Sequence, residues 1–171
     1  RIPRSVPQLL AAEHLRLLRE YGWRDRYVSE CHGWNSRLDP LQAAILSIRL
    51  PHLDAGNARR REIARAYDKG LRGILRTPPA PTGASVPVYH QYVVRHPARD
   101  RLRAWLTEKG IGTAVHYPVP LHLQPAYRKE GTPALPVTER ACAEILSLPI
   151  YPELTDAQVQ EILQHIRGFE G

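Results

Sequence analysis

The 171-residue sequence predicts a mixed α/β protein, and three observations carry that prediction. Apolar residues recur at helical spacing over residues 7–20, and again from about Asp39 to about Leu71. After residue 88 the pattern changes to strand, helix, strand and further helices, the order of a small α/β layer. Proline-rich and glycine-containing stretches punctuate the joints, with four prolines inside residues 77–87.

Residues 7–20 (PQLLAAEHLRLLRE) predict a first helix, closed by Tyr21-Gly22. Residues 23–36 are polar and irregular and read as a loop rich in Trp, Tyr, Arg and Ser. Asp39 is a plausible N-cap and Pro40 suits the first helical position of the next segment. A continuous helix from there to Leu71 would span roughly 50 Å. Pro51 interrupts it, so two helical segments bent near Leu50-Pro51 are expected. Residues 77–87 read as loop, and Val88–His96 (VYHQYVVRH), rich in β-formers, as a strand. Residues 99–109 form an amphipathic helix stopped by Gly110, and Ile111–His116 reads as a second strand. Residues 117–136 are proline-rich, with one short helical turn expected near Leu123–Tyr127. A helix near 137–146, an extended Leu148–Tyr151 and a last helix from an N-cap at Thr155 to about Ile166 complete the chain.

Composition narrows the function classes. The net charge is +7, with 21 arginines and 3 lysines. Solvated helix faces account for such an excess, and attraction of a polyanion is the sharper alternative. The densest run, Arg59-Arg60-Arg61 with Arg65, spreads around a helix without interleaved aromatics, which argues against a nucleic-acid surface. No stretch approaches the roughly 20 apolar residues of a membrane span. No secretory leader is visible. The sequence begins at Arg1 and contains no methionine, so a processed or truncated N-terminus is expected. Cys31 and Cys142 lie far apart without Cys-x-x-Cys spacing, which fits a reducing cytoplasm rather than a disulfide framework or zinc site. The eight histidines include no His-Glu-x-x-His, and His116 and His122 are separated by two prolines, so no metal is expected. Neither a Gly-x-Ser-x-Gly elbow nor a Gly-rich phosphate loop is present.

Four polar segments stand out, Tyr21–Tyr27, Gly33–Gln42, Val88–Val94 and Gly110–Gln124, and the second and fourth can be read further. In Gly33-Trp-Asn-Ser-Arg-Leu-Asp-Pro-Leu-Gln-Ala-Ala-Ile-Leu46 a polar loop runs into an apolar-periodic helix, placing Asn35, Ser36 and Arg37 at a helix entrance. Such entrances carry free N–H groups and partial positive charge, and seat phosphates or carboxylates. In GIGTAVHYPVPLHLQ (110–124) a glycine turn leads into a strand ending at His116-Tyr117, and Pro118 and Pro120 hold the chain extended. His116 and Tyr117 either pack the strand's end or line a binding site.

Five phrases in order, LRLLREYGWRDRYVSE, GWNSRLDPLQAAILSIRLPHLD with NARRREIARAYDKGL, VYHQYVVR, KGIGTAVHYPVPLHLQPAY and ERACAEILSLPIYPELTDAQVQEIL, resemble the C-terminal half of DegT/StrS-type sugar aminotransferases. The resemblance implies an α/β fold that is the C-terminal portion of a type I pyridoxal-phosphate transferase. It implies residues 1–40 as the tail of the large cofactor domain, 41–76 as linking helices and 77–171 as the small C-terminal domain. It further implies a homodimer in which Asn35 bonds the pyridoxal 5'-phosphate of the neighbouring subunit, with Arg37 supporting that region. Arg26 and Tyr27 fall where family loops approach a nucleotide diphosphate, and His116 and Tyr117 border the sugar pocket. Catalysis in such enzymes needs a Schiff-base lysine and a carboxylate opposite the pyridine nitrogen. The family places both upstream of the position that corresponds to Arg1. The three lysines present, Lys69, Lys109 and Lys129, match no family lysine position. No catalytic residue is therefore assigned, and the chain alone is expected to be inactive.

The parent enzyme so implied moves an amino group from glutamate or glutamine to a keto-sugar nucleotide, or to a related keto-sugar or cyclitol. The lead-in GWRDRYVSE looks closest to members of deoxysugar and secondary-metabolite pathways. The alternative is a non-catalytic dimerisation or scaffold module derived from the same fold, which an exposed apolar face along residues 41–53 would favour. A basic nucleic-acid binder is a third reading, resting on charge alone.

Overall fold

The computed structural model describes residues 6–129 and 131–170, with side chains described from Leu10 onward. The chain forms two compact units, Arg1–Pro51 and His52–Gly171.

The first unit opens with α1 (Val6–Leu18), the helix expected from its apolar spacing. α1 ends because Tyr21 and Gly22 take left-handed backbone angles, φ 59° and 75°. Gly22 has no substitute there, since a Cβ would lie 1.9 Å from the Cys31 carbonyl oxygen. The segment read as an irregular loop is instead a small hairpin, β1 (Trp23–Asp25) paired antiparallel with β2 (Val28–Ser29). Arg26 and Tyr27 make the turn between the strands, Tyr27 at φ 71°. Charged residues hid the hairpin: its strands are too short and too exposed to show an apolar alternation. After it, residues 33–36 run back along the end of α1, with Trp34 N–H donating to Leu18 O (2.7 Å) and Ser36 N–H to Arg19 O (2.9 Å).

The long helical run is interrupted where expected. α2 (Pro40–Arg49) starts on Pro40 at the first helical position, then Leu50–His52 forms one 3₁₀ turn, and α3 (Leu53–Gly70) follows. Pro51 lacks the N–H that an α-helix would require, and the tighter turn absorbs the loss.

The second unit holds the core. β3 (Tyr92–Arg95) pairs antiparallel with β4 (Ile145–Leu148), and single bridges extend this ladder at both edges, Arg76 to Arg95 and Ala114 to Ser147. The predicted strand over 111–116 is thus reduced to one bridge, because Pro118 and Pro120 follow too soon for a ladder to continue. Alternation along the strands sends Tyr92, Val94, Leu146 and Leu148 to one face, where all four are buried. That face is covered by α3 (through Ile63, Ala64 and Tyr67), α4 (Arg99–Glu108, through Leu102 and Leu106) and α6 (Asp156–Arg167, through Val159, Ile162, Leu163 and Ile166). α3 and α6 meet closely at Gly70, where a Cβ would lie 2.6 Å from Leu163. α6 carries a complete capping box between Thr155 and Gln158, as the predicted N-cap requires. α5 (Pro136–Glu144) leads directly into β4, so the extended piece begins three residues earlier than the sequence suggested.

Two buried tyrosines tie the layers with polar bonds. The Tyr67 hydroxyl donates to Pro149 O (2.8 Å), and the Tyr92 hydroxyl donates to Asp68 Oδ1 (2.5 Å). Burial pushes both phenols well above the ordinary tyrosine range, and for Tyr92 the neighbouring Asp68 carboxylate pushes in the same direction.

Candidate functional site

Each unit carries one group of the sequence-selected residues. In the first unit the hairpin packs Trp23 between two tyrosines, with ring centroids 4.8 Å from Tyr21 and 5.2 Å from Tyr27. The Arg26 guanidinium lies over the Tyr27 ring at 4.9 Å. Arg24 makes a forked bond to Glu30 (2.8 and 2.9 Å), which fixes the hairpin edge. Arg37 donates through Nε to Asn35 Oδ1 (3.2 Å) and through Nη1 to Glu20 Oε1 (3.2 Å). Glu20, Tyr21, Trp23, Arg24, Arg26, Tyr27 and Arg37 line an open concavity of about 600 Å³.

Three of the four residues selected from sequence in this region, Arg26, Tyr27 and Arg37, therefore share one concavity, and Asn35 is bonded to the third. Asn35 and Arg37 precede the helix that the sequence places from Pro40, in the loop leading into it. Asn35 forms an antiparallel bridge with Glu20, and the helix begins only at Pro40. Proline forces the residue before it to be extended, and Asp39 is so, with ψ 143° and no side-chain cap bond. The polar groups gathered here are side chains rather than helix N–H groups. With its oxygen accepting from Arg37, the Asn35 amide keeps its NH₂ donors for another acceptor. Guanidinium and amide donors of this kind fit a phosphate. Tyr21, Trp23 and Arg24 also line the concavity; they lie in the polar segment Tyr21–Tyr27 that stands out in the sequence, which gave them no individual role.

In the second unit His116 Nδ1 lies 2.9 Å from Ser147 Oγ, and the Tyr117 ring meets the imidazole edge-on at 5.7 Å. Tyr117 is 70% exposed. His116 belongs to the wall of a cavity of about 440 Å³ that also includes His90, Gln91, Thr113, Ala114 and Ser147. His116 is half-buried against β4, while the Tyr117 side chain is open to solvent. Farther along, His122 Nε2 lies 3.1 Å from Glu139 Oε1, which also accepts from the Leu135 N–H (2.8 Å). Those bonds, the backbone one foremost, hold the Glu139 carboxyl below the usual glutamate range. Ser147 and Glu139 had no sequence signal, since a lone serine or glutamate carries no pattern.

Among the described residues no cluster of three or more His, Cys, Asp or Glu side chains could hold a metal ion. No described helix is long and apolar enough to cross a membrane. Lys109 follows the end of α4 with its ammonium 4.4 Å from the Trp105 ring, and Lys69 lies in the last turn of α3.

The fold that carries these two groups recurs in solved aminotransferases. The ketimine-bound structure of Streptomyces venezuelae DesV superposes with a TM-score of 0.83 at 45% identity, covering 91% of this chain and 43% of that one. Residues 9–167 match the DegT/DnrJ/EryC1/StrS aminotransferase family, and the chain belongs to it. It is 46% identical over 159 residues to the dTDP-3-amino-3,4,6-trideoxy-alpha-D-glucose transaminase of Streptomyces venezuelae, covering 91% of this chain and 42% of that protein. It is 44% identical over 165 residues to a pleiotropic regulatory protein of Geobacillus stearothermophilus, covering 92% of this chain and 44% of that protein. The chain thus spans less than half the length of these curated relatives. The family is pyridoxal-phosphate-dependent, and the fold read from the sequence, a C-terminal portion of that transferase fold, agrees with the solved neighbours.

Proposed function

We propose that this chain is the C-terminal part of a cytoplasmic, homodimeric aminotransferase that moves an amino group from glutamate or glutamine to a nucleotide-linked keto-sugar or a related keto-sugar or cyclitol. The observation that supports this most is the arginine- and aromatic-lined concavity of the hairpin, in a chain whose relatives include a dTDP-sugar transaminase. Asn35 and Arg37 hold the cofactor phosphate of the neighbouring subunit through amide and guanidinium donors. Bound pyridoxal phosphate supplies the electron sink for moving the amino group. Arg26 pairs with the substrate diphosphate, and Tyr27 packs beside it. His116 and Tyr117 border the sugar. Residues 1–40 belong to the large domain, 41–76 link, and 77–171 form the small domain. The essential lysine and the carboxylate opposite the pyridine nitrogen come from outside these 171 residues, so the chain alone is inactive.

The test is an amination assay on the full-length reading frame, with glutamate or glutamine and a panel of keto-sugar nucleotides, read by product mass. Amino-sugar formed by the full-length protein and none by residues 1–171 supports the proposal. No product from any keto-sugar, or a full-length frame without an upstream lysine, would sink it. One observation favours a second reading, a non-catalytic dimerisation or scaffold module: α2 buries no side chain and exposes Leu41, Ile45, Leu46 and Ile48. That reading gains if the 171-residue chain proves to be the whole product.

A further inference from the structure

We infer that Ser147 is a positioning residue for His116: its hydroxyl holds the ring as the Nε2–H tautomer, so that His116 meets its ligand as a hydrogen-bond donor. This rests on the proposal that His116 borders the sugar pocket.

Ser147 is 6% exposed, and its Oγ has one partner among the described residues, His116 Nδ1 at 2.9 Å. The backbone leaves that hydroxyl little freedom. Ser147 pairs with Val93 on one side, and on the other its N–H and C=O both bond Ala114 (2.8 and 3.2 Å), two residues before His116. β4 alternation puts Ser147 opposite in face to Leu146 and Leu148, away from the apolar core. The hydroxyl is thus fixed on β4 and the ring is held two residues beyond the Ala114 bridge, with Tyr117 edge-on to the imidazole.

The hydrogen count then assigns the tautomer. If Nδ1 carried the proton, Ser147 would have to accept it, and its own buried O–H would point at nothing. If Ser147 donates to Nδ1, the hydroxyl proton and the imidazole lone pair are both used, and only the hydroxyl's own lone pairs are left without a partner. Nε2 therefore carries the proton. A donor on that wall of the cavity selects a ligand oxygen, such as a sugar hydroxyl or carbonyl, and in this state His116 takes no proton from the substrate.

The test is ring ¹⁵N correlation NMR on the chain at about pH 8.5, some two units above the ordinary histidine value of ~6.5. His116 should show almost pure Nε2–H, and Ser147→Ala should convert it to a mixture of tautomers while the other histidines keep their signals. Ser147→Thr, which keeps the hydroxyl, should restore the single form. A His116 protonated at Nδ1, or a pattern that Ser147→Ala leaves unaltered, overturns the inference. In the full-length enzyme, Ser147→Ala should raise the KM for the keto-sugar nucleotide about fivefold, the effect of one neutral hydrogen bond, with kcat moved less. An unmoved KM overturns the positioning role. A single Nε2–H tautomer in a protein that turns over no keto-sugar instead overturns the aminotransferase reading and upholds the ring assignment.

Discussion

α2 and α3 are consecutive helices with similar apolar periodicity and opposite fates. α3 buries Ile63, Ala64, Tyr67 and Gly70 in the core of the second unit. α2 buries nothing, and its Ile48 is 72% exposed where Ile63 is 1% exposed. The difference teaches that periodicity announces a face in need of cover without saying which surface supplies it. The largest effect we expect sets these two isoleucines against each other. Ile63→Ala should cost about 2–5 kcal/mol in denaturant unfolding, from lost transfer energy and the cavity left behind. Ile48→Ala should stay within roughly 0.5 kcal/mol, as an exposed substitution does. Equal losses would break the comparison, because they would mean that α2 is covered in solution.

The burial of α3 is also polar, which sharpens the contrast. Tyr92→Phe deletes the bond to Asp68 and leaves that carboxylate half-buried, so a loss of about 1.5–3 kcal/mol is expected at neutral pH. The pH dependence follows from the raised phenols of Tyr67 and Tyr92. A group whose pKa is higher folded than unfolded binds more protons in the folded state once pH passes its unfolded value, near ~10 for tyrosine. Stability should hold below that value and fall above it, and Tyr92→Phe should flatten the fall. Urea midpoints measured between about pH 8 and 11 decide this. An alkaline slope identical in the two proteins would refute it.

Helix order was legible because periodicity, Pro40, Pro51 and Thr155 act locally, and each did in the fold what its chemistry requires. The hairpin was not legible. Two mostly exposed strands of three and two residues are held by the left-handed Tyr21-Gly22 turn and by backbone bonds to α1, none of which leaves an apolar pattern. The edge at Ala114 likewise depends on a distant partner, Ser147. Of the candidate site, Arg26, Tyr27, Asn35, Arg37, His116 and Tyr117 were reached through the family resemblance, while residues that only hold others, such as Glu20 and Ser147, carry no pattern of their own and stand out only in the folded chain.

Exposure alone does not make a helix start unpartnered, and the smallest expected effect tests that point. Asp39 stands at the N-cap of α2 with no side-chain bond to it, whereas Glu139 in the first turn of α5 accepts from both Leu135 and His122. The Glu139 carboxylate is held below its ordinary range, first by the backbone N–H and then by the imidazole. A carboxyl with a depressed folded pKa contributes stability above its unfolded value, near ~4.3, and loses it as pH falls through the folded one. Glu139→Gln should therefore lower the thermal midpoint slightly at neutral pH, and the gap to wild type should close as pH falls below about 4. Asp39→Asn should shift the midpoint at neither pH. If both substitutions behaved alike, the paired bonds of Glu139 would carry no more weight than an uncapped end. A gap that persisted in acid would assign its effect to lost packing rather than to the charge.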